Sequence, residues 1–119
     1  MKTNRSNRGF TIVEIMIVVV IIGLLATMAL PIMMKVRVAS QEKTIFNNLR
    51  QLSSAAQQYF LEHGVSTAAY SSLVGPNLYI NTIATVAGET YPAVYNQTDA
   101  SIVATGSKVV GKPDISFTF

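Results

Sequence analysis

The chain has 119 residues, half of them apolar, enough for one small domain with an appendage and too few for two independent cores. Its formal charge is +3, but Lys2, Arg5 and Arg8 precede Phe10 while every acid follows Gly9; beyond Gly9 the side-chain charge is zero, so overall basicity is no ground for a nucleic-acid partner. Without cysteine, disulfide frameworks, thiolate metal sites and thiol nucleophiles are excluded, and packing alone must hold the fold.

The first nine residues, MKTNRSNRG, are polar and basic, and FTIVEIMIVVVIIGLLATMALPIMM follows at once. From Ile15 to Met34 there are twenty uncharged residues, which as a helix reach roughly 30 Å, the hydrocarbon thickness of a bilayer. The segment is too long for the apolar core of an ordinary signal peptide. Ala26 and Ala29 leave conventional signal cleavage open, although Pro31 and the apolar residues after it disfavour it. The leading basic residues place the amino end in the cytoplasm and the rest of the chain on the far side of the membrane. Pro31 interrupts the hydrogen-bond ladder, so a kink or local melting of the helix is expected there. Together with Gly23 it is either a breaker tolerated in a membrane helix or a point where the helix can extend on leaving the bilayer.

After Met34 the pattern becomes periodic. Ile45, Leu49, Leu52, Ala56 and Tyr59 recur at intervals of four and three, with Gln41, Glu42, Asn47, Asn48, Arg50, Gln51, Ser54, Gln57 and Glu62 on the other face. This predicts an amphipathic helix over about 36–63, ending at His63-Gly64 with the glycine in the left-handed conformation. Beyond it, turn formers and β-branched residues predict a small antiparallel sheet with strands over 79–86, 91–95, 101–104 and 115–119. Pro92 suits an edge or a strand start. Phe117 and Phe119 alternate with hydroxyl residues and are expected to face the helix.

The stretch Arg8-Gly9-Phe10-Thr11-Ile12-Val13-Glu14 with the apolar run behind it resembles the class III signal of type IV pilins and type II secretion pseudopilins. A short basic leader ending in Gly9, an aromatic prospective terminus at Phe10, Glu14 as the only charge in the apolar segment and Pro31 farther along coincide here. The resemblance covers residues 1 to about 60; the small size and the absence of a cysteine-bounded loop depart from many major pilins.

It implies a pilin-like α+β fold in which one long amino-terminal helix, bent near Pro31, packs through its carboxyl-terminal half on a small sheet. Residues 1–9 would be a removable leader, 10–34 a transmembrane and filament-core helix half, and 35–119 the globular domain. It also implies that a prepilin peptidase cuts between Gly9 and Phe10 and methylates the new amine, with Arg8 and Lys2 as recognition and topology charges. The implied partners are further copies in a helical filament, the peptidase, an inner-membrane assembly platform and membrane lipid before assembly. The precursor would sit in the inner membrane and the product in an extracellular or periplasm-spanning filament.

Glu14 has its own physical argument, because a carboxylate in a membrane helix costs about 2.5–3.5 kcal/mol at the helix centre. An α-amine on Phe10 could neutralise it, within one chain or between neighbours, and the resemblance favours the neighbour; alternatively Glu14 reaches water at the cytoplasmic interface. Gly9 likewise has a plainer reading as a helix-boundary residue. Thr11 is expected to hydrogen-bond near the new terminus.

The remaining candidates lack a chemical constellation. His63 fits a helix-end role, with no nucleophile or acid at catalytic spacing. Asp99 and Asp114 are too isolated for a calcium loop, and no phosphate loop, dinucleotide fingerprint or zinc spacing occurs. Methionines 16, 28, 33 and 34 read as packing residues, and the tyrosines as core and interface. No cofactor and no catalytic or metal-binding residue are expected. The rival to a filament subunit is a membrane-anchored binding module that does not polymerise, for which Glu14 would be dispensable.

Overall fold

A computed structural model describes residues 8–119, so Lys2 and Arg5 and most of the 1–9 leader lie outside the described residues. The element order is helix α1 (Ile12–His63), strand β1 (Thr67–Ala69), a short helix α2 (Tyr70–Leu73), then strands β2 (Val94–Asn96), β3 (Ser101–Ala104) and β4 (Ile115–Thr118). One long helix followed by small antiparallel sheets is the α+β, pilin-like architecture read from the sequence. The chain divides into two compact units, one ending at Val36 and one running from Arg37 to Phe119.

In the first unit α1 is apolar on all sides and its side chains are exposed all round, from Ile12 through Leu24 to Val36. The helix continues unbroken through Pro31, so of the two effects expected there local melting does not occur. Thr27, one turn earlier, donates its hydroxyl to the carbonyl of Leu24 at 2.7 Å, giving a polar side chain an internal partner in an apolar stretch.

In the second unit the periodic positions turn inward. Ile45, Leu49 and Leu52 are fully buried with Leu73 of α2, and Phe60, Tyr95, Ile102, Ala104, Val109 and Ile115 complete the core. Each large side chain taken out of water this way contributes about 1.5–3 kcal/mol. Tyr59, placed on the inner face by its spacing, is half-buried, while its neighbour Phe60 is buried. Gly64 ends the helix with φ +63° and gives its N–H to Phe60 at 2.9 Å, the left-handed cap expected of His63-Gly64. His63 stacks on Tyr59 with ring centroids 4.2 Å apart, its Nδ1 3.2 Å from the Tyr59 carbonyl.

The strands differ from expectation in number of sheets and in position. β1 pairs antiparallel with β2, Ala68 opposite Tyr95, and β3 pairs antiparallel with β4, Ile102 opposite Phe117, as two separate two-stranded sheets. The strands expected over 101–104 and 115–119 form as Ser101–Ala104 and Ile115–Thr118. The expected strand over 91–95 is displaced to Val94–Asn96, after Pro92, and β1 was not foreseen. Phe117 is half-buried and packs edge-on against Phe46 of α1, at 5.3 Å, whereas Phe119 is half exposed and lies outside the core.

The expected strand over 79–86 does not form: Ile80 makes a single bridge to Val74 through its backbone, and the backbone groups of Ala84 and Val86 are claimed by side chains. Asn48 donates to the Ala84 carbonyl at 3.1 Å and to the Tyr91 hydroxyl at 2.8 Å, and Gln41 donates to the Val86 carbonyl at 3.2 Å. Glu89, only 3% exposed, accepts the N–H groups of Val86 (3.2 Å) and Ala87 (2.8 Å) and the Tyr91 hydroxyl (2.8 Å). Burial pushes its pKa up, but the backbone N–H groups and the Tyr91 hydroxyl outweigh it and hold the carboxyl below the usual carboxylate range. Burial pushes the Tyr91 phenol upward, and its proton is shared with Glu89. Three polar side chains thus fold this segment onto α1 as a loop, and a bridge from Thr90 to Thr105 joins it to β3.

Candidate functional site

The residues singled out near the amino end fall in one short stretch at the start of α1. Thr11 is the last residue before the helix, and Glu14 lies in its first turn. The Thr11 N–H donates to Glu14 Oε2 at 2.7 Å and the Thr11 hydroxyl donates to the same oxygen at 3.1 Å, while the Glu14 N–H lies 3.2 Å from Thr11 Oγ1. This is a reciprocal capping box, in which the Thr at the cap and the Glu three residues later satisfy each other's backbone donors. The pattern Thr11-Ile12-Val13-Glu14 is its sequence signature, a local meaning of Glu14 that attention to its isolated charge had missed. The carboxylate also sits where the helix macrodipole is positive.

Gly9 and Phe10 precede this cap, both exposed, with Phe10 at 87%. A methyl group at Gly9 would meet nothing within 4 Å, so no contact within the described residues requires a glycine. Pro31 lies four to five turns farther along α1 and is not brought near the capping box. The geometry therefore unites Thr11 with Glu14, sets Gly9 and Phe10 as an accessible segment ahead of them, and leaves Pro31 separate.

Chemically, the stretch offers one carboxylate whose Oε2 is engaged and whose Oε1 has no partner among the described residues, amid exposed apolar side chains. Among the described residues no group of three His, Cys, Asp or Glu side chains could hold a metal ion. Asp99 serves its own turn, accepting from the Asn96 backbone N–H at 3.1 Å, and sequence reasoning had assigned it no role.

A long helix, apolar and exposed through its first half and packed on small antiparallel sheets through its second, with a carboxylate in its first turn, defines a membrane-competent α+β subunit class. Residues 4–30 match the prokaryotic N-terminal methylation motif. The chain is 31% identical over 103 residues to the fimbrial protein EcpC of Eikenella corrodens, covering 83% of this chain and 67% of that one. It is 44% identical over 59 residues to the type IV major pilin protein PilA of Myxococcus xanthus, covering 50% of this chain and 27% of that one. It is also 36% identical over 59 residues to the type II secretion system core protein G of Klebsiella michiganensis, covering 50% and 42%. No solved structure matches. The chain belongs to the type IV pilin and pseudopilin family. Except against EcpC, where the match reaches 67%, it spans well under half the length of these curated relatives.

Proposed function

We propose that this chain is a structural subunit, not an enzyme, of a type IV pilus-like or type II pseudopilus filament, made as a membrane-anchored precursor. The observation that carries this reading is the helix surface from Ile12 to Met34, apolar and exposed on every side, with Glu14 as its single charged residue. Such a surface is stable only in lipid or against its own kind, and a heterologous contact that does not close propagates into an open filament. In the membrane residues 10–34 are the anchor, with the amino end cytoplasmic; in the filament the same surface packs on other copies. The globular part, 35–119, then stays on the far side of the membrane.

A prepilin peptidase cuts between Gly9 and Phe10 and methylates the new amine. Two features support this: the junction is exposed, and Gly9 makes no contact that its own fold requires. Cleavage creates an α-amine on Phe10 that the precursor lacks. Glu14 then has two calls on its charge, the Thr11 cap and the amine of a neighbouring Phe10. Within an apolar filament the pair neutralises both ions and fixes axial register, while the cap holds the carboxylate ready without a partner chain. Pro31 serves assembly as a place where the helix can lose a turn on leaving the bilayer.

The test is intact mass and amino-terminal sequencing of the protein from its membrane and sheared-filament fractions, for wild type, Gly9→Val and Glu14→Ala. Expected are a mature chain starting at methylated Phe10, an uncut chain for Gly9→Val, and normal cutting without polymer for Glu14→Ala. A Met1 start in wild type with no polymer would turn the reading to the anchored binding module, and filaments unaffected by Glu14→Ala would remove the assembly role given to Glu14.

A further inference from the structure

The globular unit carries no net side-chain charge, since Arg37, Lys43, Arg50, Lys108 and Lys112 balance Glu42, Glu62, Glu89, Asp99 and Asp114. The charges are nevertheless sorted. Glu42 is paired with Lys112, the only ion pair among the described residues, and Glu89 is buried in its loop. Of the remaining exposed cations, Arg37, Lys43 and Arg50 lie along the first half of this part of α1 and Lys108 lies beyond the helix, as does the exposed Asp114. At the other end of α1, Glu62 occupies the last turn, and the Asp99 turn is tied beside the helix terminus by the Gln97 N–H on the Ser66 carbonyl at 2.8 Å.

Asp99 also lines a cleft of about 360 Å³ between α1 and the β3–β4 sheet. Phe60, Ile102 and Phe119 are among its apolar lining, and Gln57 and Asp99 among its polar lining, the Asp99 carboxylate also accepting from the N–H and Nδ2 of Asn96. Tyr95 contributes to the lining and carries the one buried hydroxyl without a hydrogen-bond partner among the described residues. An apolar trough beside a carboxylate suits a side chain with an aliphatic stem and a cationic head, the form of Arg and Lys. A purely apolar occupant would desolvate Asp99 without replacing its water, and an acidic one would be repelled.

We propose that this cleft receives a basic side chain, Arg37, Lys43 or Arg50, from α1 of a second copy of this chain. The proposal rests on the filament reading and deepens it: the acidic end of one subunit meets the basic flank of another, so an electrically neutral unit still associates in one direction. The apolar helix supplies adhesion, and the charged pair supplies orientation, the usual division between hydrophobic and electrostatic contacts. Nothing in this contact closes on itself, which suits an open polymer.

The cysteine-free sequence makes the test clean. Full-length chains carrying Asp99→Cys with Arg37→Cys, Lys43→Cys or Arg50→Cys are treated in sheared filaments with a short bismaleimide linker. One pair is expected to give a ladder of covalent multimers, and the single-cysteine chains none. Asp99→Asn, which keeps an oxygen for the Asn96 turn, is expected to lower filament yield about two- to fivefold, the scale of an exposed ion pair, with a smaller deficit at high salt. Abundant filaments with no ladder from any pair and full yield from Asp99→Asn would overturn the proposal and leave the filament reading standing. Absence of polymer from wild type under the same conditions would overturn both.

Discussion

The two parts of α1 use the same backbone for opposite purposes. Before Val36, Leu24, Leu25, Met28 and Leu30 are all more than 60% exposed; after Arg37, Ile45, Leu49 and Leu52 are wholly buried. The first stretch has no polar face and is stable as a helix only where lipid or other apolar surface replaces water. The second has a polar face and hides the other under its own sheets. Helix formation alone therefore does not distinguish an anchor from a core element. What distinguishes them is whether the apolar positions are confined to one stripe, because only a stripe can be covered by the 56 residues that follow α1 in the same chain.

That contrast is broken most directly by removing volume from each part. Leu52→Ala should cost about 2–5 kcal/mol of the unfolding free energy of the detergent-solubilised chain, through lost transfer energy and a residual cavity. Leu24→Ala should leave that transition within about 0.5 kcal/mol, as a surface change does. Equal losses in urea titrations of the two variants would mean that the halves unfold as one packed body.

A smaller effect sharpens the comparison from inside the globular unit. Glu89→Gln should destabilise by about 1–3 kcal/mol at neutral pH, since a buried acceptor of two N–H groups and a phenol is weakened. The sign with pH follows from its depressed pKa. The stability Glu89 adds is complete above the unfolded carboxyl value of about 4.3, and is lost as pH falls through the lower folded value. Thermal unfolding from pH 7 to pH 3 should therefore show a steep acid limb for wild type and a shallower one for the variant. The stem of Lys108 passes over Gly88 beside this loop.

The smallest effect belongs to the first unit. Thr11→Ala removes the hydroxyl half of the capping box and should weaken the first turn by about 1 kcal/mol. Hydrogen exchange at the amides of Val13 and Glu14 should quicken accordingly, with the globular transition unchanged. Protection equal to wild type would show that the cap does not hold Glu14 in place.

Much of this was legible along the chain. The change from an unbroken apolar run to a four-three spacing located both halves of α1, and His63-Gly64 marked its end, because helical period and a left-handed glycine are local properties. Ser101–Ala104 was legible from β-branched residues bounded by turn formers, and Ile115–Thr118 from its alternation of apolar and hydroxyl residues. The capping box was present as Thr11-Ile12-Val13-Glu14 and went unread behind the more conspicuous isolated charge. β1 was illegible for another reason: Thr67-Ala68-Ala69 has little strand character, and its pairing depends on Val94–Asn96, far away in the chain. The stretch 79–86 was misread because its β-branched residues promise a strand, while Asn48, Gln41 and Glu89 take its hydrogen bonds.

By itself, then, the sequence determined that this protein has an apolar helix able to cross a bilayer, a single carboxylate in its first turn and an amphipathic continuation with a small β-rich cap. Those features depend on neighbours a few residues apart. Only the tertiary structure decided that the sheet is two ribbons, that a buried Glu89 holds a loop where a strand was expected, and that Asp99 borders a cleft beside the end of α1. The strand pairing and the cleft depend on partners brought together from tens of residues away, and the loop combines the local bonds of Glu89 with Asn48 and Gln41 reaching across from α1, so that a few side chains outweigh the propensity of the whole segment.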